Sequence, residues 1–148
     1  MGLQLVTRCD MFFDMEKTRN VEEFNSWNDV KIELDLHGRE PKIAEGQIWW
    51  AGVGKNIGAE VYGKNERFAR PVLIFKKLGG MNFMAIPLST KEHTGTWFVK
   101  FRHQGRVEIA LLHQARAMNV KRLYRKIGQI DDIDYARIRE GFHLLYCK

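Results

Sequence analysis

Pro71-Val72-Leu73-Ile74-Phe75 is the stretch that decides the fold class. It is wholly apolar, too short for a buried helix and headed by a proline, so it predicts a buried β-strand. Gly79-Gly80 follows and predicts a turn into a second apolar segment, residues 83–88. This strand–turn–strand unit in the middle of the chain indicates a domain built around β-structure.

Further short strands flank this unit on both sides. Residues 46–52 predict a strand in which Trp49 and Trp50 point to opposite faces. Residues 96–102 and 107–112 are separated by Gln104-Gly105 and predict a hairpin, and a small strand is expected near Ile127. Short strands joined by tight turns predict a mainly β fold, a small barrel with added helices.

A helix is predicted on the N-terminal side of the strands. Asn20 is expected to cap a helix that ends just before Gly38, with Phe24, Trp27 and Leu34 on one face. An isolated helix with an aromatic stripe is not stable in water, so it should pack on the barrel. We expect a helical extension over residues 1–43 and the main domain over residues 44–148. The extension either modulates access to a site or simply completes the core.

The C-terminus predicts a second helix. Asp131 is expected to cap it, and four apolar side chains share one face at helical spacing. These side chains are Tyr135, Ile138, Phe142 and Leu145.

Charge is divided unevenly along the chain, whose formal net charge is +6. Residues 1–45 carry six Lys/Arg against ten Asp/Glu, whereas residues 46–148 carry eighteen against eight. Between Thr96 and Lys126, eight basic residues accompany a single acidic one, Glu108, and Trp97 and Phe101 lie among them. Basic side chains interleaved with aromatics suit single-stranded RNA, although a solvated basic surface with a core tryptophan gives the same pattern.

Neither cofactor nor metal is predicted. Residues 52–58 and 58–65 are near misses to a dinucleotide fingerprint and a P-loop, but both motifs need a helix to follow, and here a strand does. The histidines and the two cysteines lack metal-binding spacing. His93 and His113 remain an alternative acid–base pair.

Residues 1–10 lack an apolar run long enough for a signal peptide, and no segment of the chain is predicted to span a membrane. Cys9 and Cys147 do not form a disulfide framework, which favours a reducing compartment. The expected location is the cytoplasm.

Six short motifs follow one another between residues 46 and 128. They are GQIWW (46–50), NIGAE with GK (56–60, 63–64), RPVLIF (70–75), IPLST (86–90), LHQAR (112–116) and KRLYRKIG (121–128). In this order and spacing they resemble the PemK/MazF toxins of type II toxin–antitoxin systems. Gln47 stands where the family usually has an acidic residue, and Ala115 where it usually has isoleucine.

The resemblance implies a small SH3-like barrel of the PemK/MazF/CcdB kind and a sequence-selective, metal-independent endoribonuclease. It assigns the main catalytic role to Arg70, with assistance from Ser89 or Thr90. A forked guanidinium suits the charge that develops on a phosphorane, whereas its high pKa makes it a poor base.

Five further residues are expected to contact RNA, either as motif residues or as part of the basic, aromatic segment. They are Glu60, Lys64, Trp97, Gln114 and Arg116.

The resemblance also implies partners. These are a single-stranded RNA substrate, a cognate acidic antitoxin and a second copy of the chain in a homodimer. The competing interpretation is a non-catalytic SH3-like module that binds nucleic acid, or a protein as gyrase poisons do, because the fold alone does not determine function.

Overall fold

A computed structural model describes the backbone of residues 8–147 and the side chains of residues 15–147, so residues 1–7 and the Cys9 side chain lie outside the described part. Helices stand at both ends and seven strands lie between them. The elements are α1 (Arg8–His37), β1 (Gln47–Gly52), β2 (Ala69–Lys77), β3 (Asn82–Ser89), β4 (Phe98–His103), β5 (Arg106–Leu111), β6 (Arg116–Asn119), β7 (Leu123–Gln129) and α2 (Asp132–Tyr146). Two 3₁₀ helices, Leu112–Gln114 and Val120–Arg122, flank β6.

The strands form one antiparallel sheet in the order β4-β5-β3-β2-β1-β7. Strand β3 changes partner along its length, because its first half pairs with β6 and its end pairs with β5. The two edges of the sheet approach each other where Gln104 Nε2 donates a hydrogen bond to the carbonyl of Ile127, 3.1 Å away. The fold class predicted from the sequence is confirmed, with the difference that the sheet is bent but not closed: in the described residues no ladder joins β4 to β7.

Strand β2 is buried on both faces, as its apolar run predicts. Leu73 and Phe75 pack in one apolar cluster, together with Ile138 of α2, and Val72 and Ile74 pack in a second cluster on the other face. Val72, Leu73 and Ile74 are fully buried. The strand that carries Arg70 is therefore rigidly held from both sides.

Helix α2 follows its prediction. The Asp131 side chain accepts a hydrogen bond from Asp134 N at 2.8 Å, and Ile138 is fully buried. Tyr135 Oη donates to the carbonyl of Phe75 at 2.6 Å, which ties the helix to β2. Phe142 and Leu145 pack on the same cluster.

Helix α1 is longer than predicted. It begins at Arg8, so Asn20 lies inside the helix and does not cap it. The preceding residues contain no glycine or proline and include good helix formers such as Met15 and Glu16, so nothing stops the helix there. The predicted end is correct, because the helix closes at His37 and Gly38 N donates to Leu34 O at 2.9 Å.

The apolar face of α1 is also shorter than predicted. Trp27 and Leu34 are buried, but Phe24 is 40% exposed. At that level of the helix the contact with the body is polar, because Glu23 pairs with Lys55 at 2.6 Å.

Trp27 is the main apolar contact of α1 with the body. Its ring packs against Phe68 with 5.7 Å between centroids, and the Arg122 guanidinium lies 5.6 Å from its ring centroid. Leu34 and Phe68 complete this third cluster. The extension therefore packs on the strand domain, and the boundary after residue 43 remains a prediction.

Helix α1 is long but not apolar. In the part of the chain that the structure describes, no helix is both long and apolar enough to cross a membrane.

Candidate functional site

A cleft of about 670 Å³ lies between the β1–β2 loop and the ends of β2, β3 and β5. The structure brings most of the predicted site residues together along its walls. Those that line it are Glu60, Lys64, Arg70, Ser89, Thr90 and Gln114. Residues spread over more than fifty positions of sequence thus share one cavity.

Arg70 is fixed by two backbone carbonyls from different parts of the cleft. Its Nε donates to Tyr62 O at 2.8 Å, and its Nη1 donates to Leu88 O at 3.1 Å. Both acceptors are neutral, so the hydrogen bonds orient the guanidinium without cancelling its charge. Burial lowers the pKa of Arg70, and the nearby Tyr62 opposes this effect. The result is an oriented cation with donors left for an anion in the cleft.

Ser89 and Thr90 lie beside this cation at the end of β3. Ser89 directly follows Leu88, the residue whose carbonyl holds Arg70. Ser89 Oγ accepts a hydrogen bond from Lys91 N at 3.1 Å, which orients the oxygen and leaves its proton available to a ligand. Thr90 is exposed at the cleft. A cation and a hydroxyl donor therefore face the same space.

Gln114 binds the β1–β2 loop. Its Oε1 accepts from Val61 N at 3.1 Å, and its Nε2 donates to Ala59 O at 3.2 Å. The side-chain amide shapes the wall of the cleft, and direct contact between Gln114 and RNA remains a prediction.

Glu60 and Lys64 belong to the same loop and line the cleft. The carboxylate of Glu60 accepts from Ile57 N at 3.1 Å and closes a turn, whereas Lys64 is exposed and bridges to Ala69 at the start of β2. Both side chains are exposed, and Lys64 is the one whose charge suits an anionic ligand.

Two of the predicted RNA-binding residues lie off the cleft lining. Trp97 is 52% exposed and stacks on His113, which does line the cleft, with 5.2 Å between ring centroids. The 3₁₀ helix that contains Gln114 ends at that residue. Arg116 then begins β6 and pairs with Ala85 of β3. Trp97 stands at the rim, and Arg116 does not reach the cavity that holds Gln114.

The two histidines of the alternative acid–base pair both line the cleft, but the ring contact that they share is with Phe98. Phe98 lies between them, with its ring centroid 4.6 Å from that of His93 and 5.2 Å from that of His113. Burial lowers the pKa of His113, a hydrogen bond with the Trp97 backbone opposes this, and His93 lowers it further. His113 is thereby favoured in its neutral form.

Glu108 also lines the cleft, although its sequence context did not predict a role at the site. It lies on β5 and lines the cavity, and burial raises its pKa against the opposing effect of Arg106. The sequence feature that could have indicated Glu108 as a site residue is that it is the single acidic residue between Thr96 and Lys126.

Among the side chains of residues 15–147, no group of three or more His, Cys, Asp or Glu could hold a metal ion.

The fold and the cleft together define a small, bent antiparallel β protein with an oriented arginine and a serine at its site. The family model of PemK-like, MazF-like toxins of type II toxin–antitoxin systems matches residues 44–146. The chain belongs to this family of toxins. Helix α1 lies outside the match.

Solved structures of MazF toxins share the fold. MazF from Deinococcus radiodurans superposes with a TM-score of 0.59 at 16% identity, covering 71% of this chain and 97% of that one. Toxin MazF-mt6 from Mycobacterium tuberculosis gives 0.51 at 17% identity, covering 68% and 95%. An endoribonuclease solved with its cognate antitoxin from a mycobacterial species gives 0.54 at 14% identity, covering 70% and 93%. Comparison with curated protein sequences finds no match.

Proposed function

We propose that this toxin is a sequence-selective endoribonuclease that cleaves single-stranded RNA without a metal ion. The observation that carries the proposal is Arg70, a cation held by two neutral carbonyls next to the Ser89 hydroxyl in an open cleft. The fold is shared with proteins described as endoribonucleases.

The proposed reaction is attack of a ribose 2′-hydroxyl on the adjacent phosphate. The 2′-oxygen bonds to phosphorus, the bond to the 5′-oxygen breaks, one proton leaves the 2′-hydroxyl and one reaches the 5′-oxygen. Arg70 stabilises the charge that builds on the phosphorane and donates toward the leaving oxygen. Ser89 donates a hydrogen bond to the phosphate. The Arg70 guanidinium thus supplies the charge stabilisation that a metal ion supplies in other nucleases.

Arg70 is not the base in this scheme, since an arginine stays protonated near neutral pH. Glu108 and His113 line the same cleft, and burial moves the pKa of the first upward and that of the second downward. Both are candidates to accept the 2′-hydroxyl proton.

Cleavage is expected to proceed in EDTA and to leave a 2′,3′-cyclic phosphate and a 5′-hydroxyl. The reason is that both charge stabilisation and proton transfer are assigned to side chains of the cleft. The measurement is incubation of single-stranded RNA with purified protein, followed by end-group analysis of the fragments. Activity that EDTA abolishes and magnesium restores would contradict the metal-independent mechanism.

Base selectivity is proposed to come from the β1–β2 loop and from residues 90–95, the two segments that border the cleft. Gln114 binds Val61 N and Ala59 O, and Arg70 binds Tyr62 O, all in the β1–β2 loop. These two side chains therefore help to set the shape of that loop beside the reacting phosphate.

The proposed partner is an acidic antitoxin, and the proposed oligomer is a homodimer that acts in the cytoplasm. Similar folds have been solved as MazE–MazF complexes of Deinococcus radiodurans. The basic body attracts an acidic chain, which then competes with RNA.

We expect co-expression with any acidic protein that is encoded next to this toxin to suppress growth arrest. We also expect light scattering of the purified toxin to give twice the 17.3 kDa chain mass. Growth arrest that persists despite stable antitoxin would contradict the first expectation, and a monomer at micromolar concentration the second.

A further inference from the structure

A second groove, of about 590 Å³, opens next to the cleft. One wall is the end of α1 with residues Gly38 and Arg39, and the other is formed by β7 and the segment before it. Trp50, Asn65 and Ala69 line both the groove and the cleft. The two cavities are therefore parts of one continuous surface.

The groove is lined by positive charge. The basic side chains along it are Arg39, Arg67, Lys121 and Arg125. Glu33 is the one acidic residue in this lining, and its Oε2 lies 3.1 Å from His37 Nδ1. An anion in the groove meets a clear excess of cations.

Several of these cations are held in place by the protein. Arg67 lies over the Tyr124 ring, 4.4 Å from its centroid, and Tyr124 Oη donates to Arg67 O at 2.9 Å. Arg39 Nη2 donates to Tyr124 O at 3.1 Å, and Lys121 Nζ donates to Asp35 O at 2.9 Å. Each of these three side chains is restrained beside the groove by a contact with a neutral group.

Trp50 supplies an aromatic surface where the two cavities meet. It is half-buried on β1 and pairs across strands with Arg125 of β7, which is exposed. An aromatic ring beside a cation is the arrangement that binds a nucleobase together with its phosphate.

We propose that this groove is a second RNA-binding site, which holds the single-stranded RNA that continues out of the cleft past Trp50. The proposal rests on the proposed function. Arg39 lies outside the family match of residues 44–146, so the N-terminal extension contributes one wall of the RNA path. The extension thereby lengthens the substrate-binding surface of this toxin.

The test uses full-length protein in an Arg70→Ala background, which keeps the RNA intact, and compares Arg39→Gln and Arg125→Gln with Lys126→Gln. Lys126 is an exposed neighbour that pairs with Trp49 and does not line the groove. The probes are fluorescent single-stranded RNAs of about 4 and about 16 nucleotides, which bracket the span of a single site.

For the long RNA, each groove substitution should raise Kd about fivefold near 0.1 M salt and lower the slope of log Kd against log salt by about 0.7. The short RNA, which the cleft can hold alone, and the Lys126→Gln protein should show no such change. The proposal would be overturned if the groove variants and Lys126→Gln bound the long RNA with equal affinity. It would also be overturned if the groove substitutions weakened binding of an acidic protein and left RNA binding unchanged. If the groove substitutions weaken RNA binding but the protein with Arg70 unchanged cleaves no RNA, the proposed function is refuted. The assignment of the groove as an RNA-binding site then still stands.

Discussion

Replacement of Arg70 by alanine is expected to lower RNA cleavage by about 10²-fold or more, the effect of removing one preorganised donor from a transition state. Arg70 is the cation whose Nε and Nη1 are fixed by Tyr62 and Leu88 inside the cleft. The measurement is the initial rate of cleavage of a fluorescent single-stranded RNA under saturating and subsaturating conditions. We expect the loss mainly in kcat, because the guanidinium acts on charge that develops during the reaction.

The matched control for this variant is Arg139→Ala, which removes an exposed arginine of α2 that does not line the cleft. It should cleave within about twofold of the unchanged protein, since a surface substitution away from the site has little effect. Because Arg70 also binds two backbone carbonyls, circular dichroism and thermal unfolding must show that Arg70→Ala is folded. A folded Arg70→Ala protein with near-normal activity would refute its catalytic assignment and turn attention to His93 and His113.

Trp27→Ala is expected to destabilise the protein by about 3–5 kcal/mol, as for other large aromatic side chains removed from a core. Trp27 is 7% exposed. From α1 it packs against Phe68, at the end of the β1–β2 loop, and against Arg122. The measurement is urea unfolding of the full chain followed by circular dichroism. Such a loss would mean that the extension is part of the folding unit.

Phe24→Ala is the matched control on the same helix. Phe24 is 40% exposed, so its removal should change the free energy of unfolding by about 0.5 kcal/mol or less. Similar losses for the two variants, or a Trp27→Ala protein as stable as the unchanged one, would show that α1 does not depend on this contact.

The strands were predictable where short-range pattern is strong. The Pro71–Phe75 run reads as a buried strand because both of its faces are covered, and Asp131 marks the start of α2 because its side chain caps the helix. Strand β6 was missed because Arg116–Asn119 alternates weakly and owes its extended form to pairing with β3. The early start of α1 was missed because a capping residue type, Asn20, is also compatible with a helix interior.

The cleft was predictable through motifs, and its details were not. Arg70, Ser89 and Gln114 line one cleft, and their proposed roles remain predictions. Nothing local in the sequence indicates that Gln114 would bind the loop at Ala59 and Val61. The position of Glu108 in the cleft could not be predicted, because its environment depends on strands that are distant in sequence. Gln114 and Arg116 are both predicted to contact RNA, but the 3₁₀ helix ends at Gln114 and Arg116 begins a strand that pairs with β3.

The central claim is that the Arg70 cleft cuts RNA, and mapping the 5′ ends of fragments tests it most directly. Wild-type and Arg70→Ala proteins, purified in parallel, are incubated with one defined single-stranded RNA in EDTA. The account predicts recurrent cuts at a short sequence, with 5′-hydroxyl ends, from the wild-type protein and none from the variant. Intact RNA with both proteins, or identical cuts with both, would contradict it.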